Sequence, residues 1–328
     1  MKVSDIRPDD MIKEYQKLRL EDIDDLIKRK DQFIEVPCPA CESKNFRFAF
    51  QKEGFIFTLC TECETYFINP RPSFSLIEEF YKTSKCIKYW KEIFFNTEDE
   101  RKNQISVPRA KRVIELCEKH TTPKEIFIDV GAGYGTFCEE IKKYGMFKKV
   151  IAVEPAEELA DACRKKNLEV IEEPIERVAL QQVSVITSFE LIAHLFWPKN
   201  YLLTCQKALS HGGLLIITTP NIKGFDMLTL LDHHHNVAGP NHLNYFHADS
   251  LGKLLKACGF DVVQVLTPGK LDAEIVRKKI ITGEYDGTNQ PFLKHILVEK
   301  WETLGSAFQS FLENNALSSH LWMVAKKN

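Results

Sequence analysis

One strand–turn–helix unit constrains this chain more than any other feature. Ile126-Phe-Ile-Asp-Val130 reads as a buried strand, Gly131-Ala-Gly-Tyr-Gly135 follows it, and an amphipathic stretch starts at Thr136. A glycine-rich turn between strand and helix lets a ligand approach the backbone closely, and the helix N-terminus adds amide donors. The next strand, Val150-Ile-Ala-Val153, ends in Glu154, 23 residues after Gly131. A carboxylate there can accept both hydroxyls of a ribose. The spacing is G-x-G-x-G, which lacks the third glycine where a dinucleotide fingerprint wants it. Asp129, two residues before the first glycine, would repel a pyrophosphate and suits a cationic amino-acid end.

The alternation continues downstream. Strands read at 125–131, 149–155, 168–172, 183–190, 213–219, 260–267 and 321–326, with helical stretches between most of them. This predicts an α/β fold, a doubly wound, Rossmann-like sheet with helices on both faces. The rest of the chain divides into a charged, amphipathic helical arm over 1–31, a small β-rich module over 32–72 ending at Asn69-Pro-Arg-Pro72 as a linker, and a helical lid or linker over 73–122. The sheet domain then occupies 123–328, with a helical insertion at about 271–316 that suits a cap or a dimer surface, so a homo-oligomer is an expected partner. No apolar run approaches the ~18 residues of a membrane helix, and the charged N-terminus has no apolar signal core; a cytoplasmic protein without a membrane partner is expected. Lys and Arg number 44 against 46 Asp and Glu, net −2, without the basic excess a duplex-DNA binder carries.

Four of the ten cysteines form two C-x-x-C knuckles, Cys38-Pro-Ala-Cys41 and Cys60-Thr-Glu-Cys63, separated by 18 residues. In a reducing compartment that pattern favours a metal over disulfides. Four thiolates suit structural Zn²⁺ and leave no open position for catalysis. A module this small gains folding energy from the ion, of order 10 kcal/mol. A redox dithiol is the rival reading. His233-His234-His235 invites a second metal, but three consecutive residues point in different directions on a helix.

Asp-Val-Gly-Ala-Gly-Tyr-Gly (129–135) followed by Val-Ile-Ala-Val-Glu-Pro (150–155) resembles the signature of class I S-adenosylmethionine-dependent methyltransferases. The resemblance implies their seven-stranded sheet, with the last strand inserted antiparallel. It places Asp129 under the methionine portion, Gly131, Ala132, Gly133 and Gly135 as the floor, Glu154 on the ribose and Pro155 beside the adenosine. Phe189 and Glu190 would close the pocket. The layout is also similar to zinc-ribbon sugar and sugar-nucleotide methyltransferases of polysaccharide and deoxysugar biosynthesis. The points of contact are the knuckles, Asn-Pro-Arg-Pro, Tyr81-Lys-Thr-Ser84, Ala193-His-Leu195 and His242-Leu-Asn-Tyr-Phe246. Where the C-methylating members carry a glutamate before the second histidine, this chain has Asn241; where they carry a tyrosine two residues earlier, it has Gly239.

The expected activity is therefore methyl transfer from S-adenosylmethionine to a sugar, sugar nucleotide or related small polar acceptor, with oxygen favoured over carbon. His194 and His242 are candidate bases, since imidazole accepts a hydroxyl proton near neutral pH; Tyr245 joins them as a catalytic candidate. Tyr81, Trp90 and Asn241 are candidate acceptor contacts, aromatic faces being suited to sugar rings. Structural readings stand beside these: His194 as a helix cap, His242 as a hinge, Tyr245-Phe246 as packing, and the aromatic stretch 81–95 as either lid or helix core. The rival functions are an RNA-modifying methyltransferase that uses the ribbon to bind nucleic acid, and a non-enzymatic binder of the nucleoside.

Overall fold

The computed structural model describes residues 3–328, with side chains from Ser4 onward; the first two residues of the N-terminal arm lie outside it. The chain forms two compact units, each assembled from three separate segments. The first takes Met1–Thr97, Pro220–Ser250 and Leu266–Leu321; the second takes Glu98–Thr219, Leu251–Val265 and Trp322–Asn328.

In the first unit the arm is one main helix, Asp9–Ile27, that buries Ile23 and Leu26. The cysteine module contains β1 (Phe33–Ile34), β2 (Phe46–Lys52), β3 (Phe55–Cys60), β4 (Tyr66–Ile68) and β5 (Arg71–Pro72). β2 and β3 form a hairpin whose loop is Glu53-Gly54, φ +50° and +81°. Two left-handed loop residues match the twist of the flanking strands. Phe50 stacks on Phe57 across the pair at 4.6 Å.

Asn69-Pro-Arg-Pro72, expected as a linker, is instead stapled into the unit. Arg71 and Pro72 pair with Ile34 and Phe33. The buried Arg71 guanidinium donates to the Ile68 carbonyl at 3.2 Å and to Asn244 at 3.1 Å, while Asn69 Oδ1 accepts the Val36 amide at 2.9 Å. Prolines punctuate sequence, but a buried guanidinium must find acceptors, and these hold the segment in place. Ser84 caps the helix Lys85–Asn96, its Oγ accepting the Ile87 amide, and is itself held by Asp22 of the arm at 2.7 Å. The segment 271–316 is largely helical. Its helices Asp272–Ile281 and Trp301–Asn314 pack around Ala273, Val276 and Leu297, with Leu230 of the segment 220–250.

The second unit is built on the seven-stranded sheet. Its strands are β6 (Ile126–Val130), β7 (Lys149–Val153), β8 (Glu169–Ile171), β9 (Val183–Phe189) and β10 (Leu209–Pro220); then, after β11 (Asn244–Tyr245), which pairs with β4 in the small sheet, β12 (Phe260–Leu266) and β13 (His320–Lys327). The order is β12-β13-β10-β9-β6-β7-β8. β8, β7, β6, β9 and β10 run parallel. Phe127, Ile128, Val185, Ile186, Leu215 and Ile216 are all fully buried, as strands covered on both faces require. Every sheet strand read from the sequence is present, shifted by a few residues at most. β4, β5 and β11 were not foreseen; at two or three residues each they carry no period to read. The strand order reverses between β6 and β9, and in such sheets ligands bind at the carboxyl ends of the strands beside that switch.

Candidate functional site

β6 ends at the switch point and positions Asp129. It lies opposite Thr187 of β9, whose hydroxyl donates to Asp129 Oδ1 at 2.6 Å. The carboxyl is buried, and burial lifts it to about 7; the Thr187 bond and the Arg109 charge pull the other way. Gly131, Gly133 and Gly135 then turn the chain with φ of +75°, +58° and +71°, values that only glycine adopts without strain. Two of them have further reasons to be glycine. A Cβ on Gly135 would come within 2.8 Å of Cys163 Sγ, so this glycine packs the turn onto its neighbour. A Cβ on Gly133 would meet nothing within 4 Å, so here the backbone borders open space. Ala132 closes the turn, its carbonyl accepting the Gly135 amide at 3.0 Å.

Glu154 leaves the end of β7 and bends back under this turn. Its Oε2 accepts the Gly133 amide at 2.9 Å and its Oε1 the Ala156 amide at 3.0 Å. A carboxylate has about four acceptor positions, and these two amides take one on each oxygen. Pro155 is exposed beside it. At the end of β9, Phe189 packs edge-on against Phe137 and Trp322 at 4.7 and 5.6 Å. Glu190 has φ +55° and is fixed by Thr218, which donates to its Oε1 at 2.6 Å and accepts its amide at 3.0 Å. His194 sits half-buried in the following turn, its amide on the Leu191 carbonyl at 2.9 Å.

Sequence reasoning missed Arg109. Its guanidinium lies 4.1 Å over the Phe189 ring, attracted by Glu190 and Asp129. Burial lowers its pKa; the two carboxylates raise it. A signal existed: Arg109 and Arg112 are three apart on the helix Val107–Lys119, and Arg112 covers Trp322 in the same way at 5.5 Å.

The first unit holds the other candidates. His242 Nδ1 is 2.7 Å from the Asn236 carbonyl, which can only accept, so Nδ1 carries the proton and Nε2 is the basic nitrogen. Tyr245 is buried, and its hydroxyl accepts the Ala238 amide at 2.9 Å and lies 3.3 Å from the Asn236 carbonyl. Burial pushes its phenol well above the ordinary range, so the geometry gives Tyr245 the work of holding the His242 loop. Tyr81, Trp90 and Asn241 meet around Tyr15 of the arm. Asn241 Nδ2 donates to the Tyr15 hydroxyl at 3.1 Å, the Tyr81 hydroxyl is 3.4 Å from the Asn241 carbonyl, and the Tyr15 and Trp90 rings are 4.8 Å apart. Tyr15 lies in the amphipathic helical arm and was not among the candidate site residues.

The four cysteine sulfurs all lie within 4.8 Å of one another, with Cys38–Cys63 at 3.5 Å and Cys41–Cys60 at 3.6 Å. A tetrahedron of ~2.3 Å metal–sulfur bonds has edges of about 3.8 Å, so the set fits one such ion. The knuckles repeat each other: Glu42 and Glu64 follow the second cysteine at φ +60° and +58° and return their amides to the Cys38 and Cys60 carbonyls. His233–His235 gathers no comparable set. His234 is buried against Asp226 at 3.0 Å while His233 turns outward to Asp232. Among the described residues the cysteines are the one group with metal-binding geometry.

The family model described as a methyltransferase domain matches residues 100–265. The chain belongs to this methyltransferase domain family. The matched span takes in the Asp129 turn, Glu154, Arg109, His194 and His242; the cysteine module and the arm lie outside it. In two strains of Mycobacterium tuberculosis, a protein named "Probable S-adenosylmethionine-dependent methyltransferase" is 28% identical over 156 residues, 46% of this chain and 54% of that protein. The chain thus matches about half the length of these curated relatives. Among solved structures, a SAM-dependent methyltransferase from Thermotoga maritima is 18% identical with a TM-score of 0.47, covering 73% of this chain and 98% of that one. One from Clostridium acetobutylicum is 12% identical with a TM-score of 0.47, covering 74% and 100%. Among the described residues of this methyltransferase-domain protein, no helix is long and apolar enough to cross a membrane.

Proposed function

We propose that this chain methylates a hydroxyl of a sugar, sugar nucleotide or related small polar acceptor, using S-adenosylmethionine, with Zn²⁺ as a structural ion on Cys38, Cys41, Cys60 and Cys63. The observation that carries the cofactor assignment is the open backbone at Gly133 between two carboxylates, Asp129 and Glu154, at the switch point of the sheet. When bound there, S-adenosylmethionine supplies an electrophilic sulfonium methyl group.

The chain's own residues then have distinct tasks. Glu154 accepts the ribose hydroxyls, and Asp129 offers its carboxylate to the amino-acid end. Phe189, backed by Arg109, gives an apolar wall, and Glu190 is held in one orientation by Thr218. His242, with Nδ1–H tied to a carbonyl, presents Nε2 as the acceptor for the hydroxyl proton. His194 is the alternative base. Tyr81, Trp90 and Asn241 orient the acceptor, and the rate comes mostly from this positioning. Preference for oxygen over carbon rests on position 241, where an amide stands and cannot remove a carbon-bound proton.

The test supplies methyl-labelled S-adenosylmethionine with a panel of nucleotide sugars and oligosaccharides, and bulk RNA in parallel. Label on a sugar oxygen is the expected result, with His242→Gln lowering turnover about 10²–10⁴-fold while S-adenosylhomocysteine affinity stays unchanged. Label on RNA instead would overturn the acceptor assignment.

A further inference from the structure

Lys52 ends β2 at the hairpin loop, and its surroundings are unusual for an ammonium. Its Nζ donates to the His234 carbonyl at 2.9 Å, and no carboxylate among the described residues lies within ion-pair distance of it. The neighbouring acids are engaged elsewhere: Glu53 with Arg19, Asp232 with His233, and Glu284 with Lys279. Burial pulls Lys52 down to about 8, with Arg19 and Lys279 pushing the same way against Glu53 and Asp232. A half-buried ammonium whose bond goes to a carbonyl leaves much of its charge uncompensated.

Arg7 of the arm reaches the same place. Its Nη1 donates to His235 Nε2 at 2.7 Å, and its guanidinium lies 5.8 Å from the Trp90 ring centroid. A guanidinium only donates, so Nε2 is the lone-pair nitrogen and Nδ1 carries the proton. That N–H has no protein acceptor among the described residues. His235 stacks on His234 at 4.5 Å. Burial first, then His234, Arg7, Lys279 and Lys52, disfavours its charged form. Arg7 therefore donates to a neutral imidazole that is itself a donor, while the Lys52 ammonium is bonded to the carbonyl of the adjacent residue. Next to them the Trp90 and Tyr15 rings meet at 4.8 Å with a tilt of 48°, and Asn241 is bonded to the Tyr15 hydroxyl.

We propose that Arg7, Lys52 and the His235 Nδ1–H form an oxyanion site that takes a phosphate or diphosphate group, with the ring attached to that group lying on Trp90 and Tyr15. Guanidinium and ammonium groups are the usual partners of phosphoryl oxygens, and the aromatic faces suit a sugar or base. Assigning the group to the methyl acceptor rests on the function proposed above; the anion site itself does not. The arm then completes the acceptor site, which makes the enzyme selective for a phosphorylated acceptor over a free sugar.

The test titrates the full chain calorimetrically with inorganic phosphate, inorganic pyrophosphate and uridine diphosphate. Saturable pyrophosphate binding is expected. Arg7→Gln and Lys52→Gln should each weaken it about tenfold or more, while Lys52→Arg retains it. Lys207→Gln, an exposed change in the other unit, should leave it unaltered. Circular dichroism on each variant separates lost binding from lost folding. Uridine diphosphate binding tighter than pyrophosphate would support a nucleotide-borne group, and equal affinity a simpler phosphate. Absent saturable binding, or affinities that Arg7→Gln and Lys52→Gln leave unchanged, would overturn the site. S-adenosylhomocysteine is titrated in parallel: if it fails to bind while pyrophosphate binds, the methyl-transfer reading falls and the anion site stands.

Discussion

Asp129, buried at the end of β6, carries a cost to stability near neutral pH. Its folded pKa is raised from 3.8 to about 7, so the folded chain holds a proton the unfolded chain releases. The associated stability is complete below about pH 4 and is lost as pH rises toward 7, on the order of 4 kcal/mol at most. Asp129→Asn should therefore raise the melting temperature at pH 8, leave it nearly unchanged at pH 4, and weaken S-adenosylhomocysteine binding at both. Thermal melts at the two pH values with a parallel titration check this. Arg109→Met should move the pH midpoint of S-adenosylhomocysteine affinity upward, because it removes a charge that favours ionised Asp129; an unmoved midpoint would count against that role. Asp129, the glycines and Glu154 were legible because each sits at a fixed offset from a strand end. Arg109 and Tyr15 were not, because they come from distant helices whose pattern reports only an apolar face.

At the scale of elements, the cysteine module depends on its two knuckles. Cys60→Ser should abolish stoichiometric zinc, read by metal analysis, and melt the β2–β3 hairpin region, read by hydrogen exchange; retained zinc would point to another ligand set. Glu42→Gly should stabilise the knuckle by about 1 kcal/mol, since a left-handed position carries no penalty for glycine; chemical denaturation measures it. The long periodic strands and the C-x-x-C spacing were readable from sequence because each repeats a local rule. The closing strands were not. β5 exists because Arg71 finds Ile68 and Asn244, and β11 because residues 244–245 return to β4 from more than 170 positions away. Such contacts leave no local periodicity.

For the whole molecule, the matched domain and the folded unit are not the same stretch of chain. The family match ends at 265, yet β13 at 320–327 occupies the place between β10 and β12. A fragment of residues 98–265 should therefore fail to fold: far-UV circular dichroism should show lost strand content and dye binding should show exposed apolar surface. A cooperative, soluble fragment would mean the inner strand is dispensable. The position of β13 also sets a schedule for synthesis. As the chain leaves the ribosome, β12 cannot settle beside β10, and the sheet stays open along two unpaired edges while about fifty further residues are made. Unpaired edges invite the wrong neighbour. The nascent protein thus passes through an obligatory waiting period in which a chaperone has something to hold, and the time spent there is set by translation speed across residues 267–319.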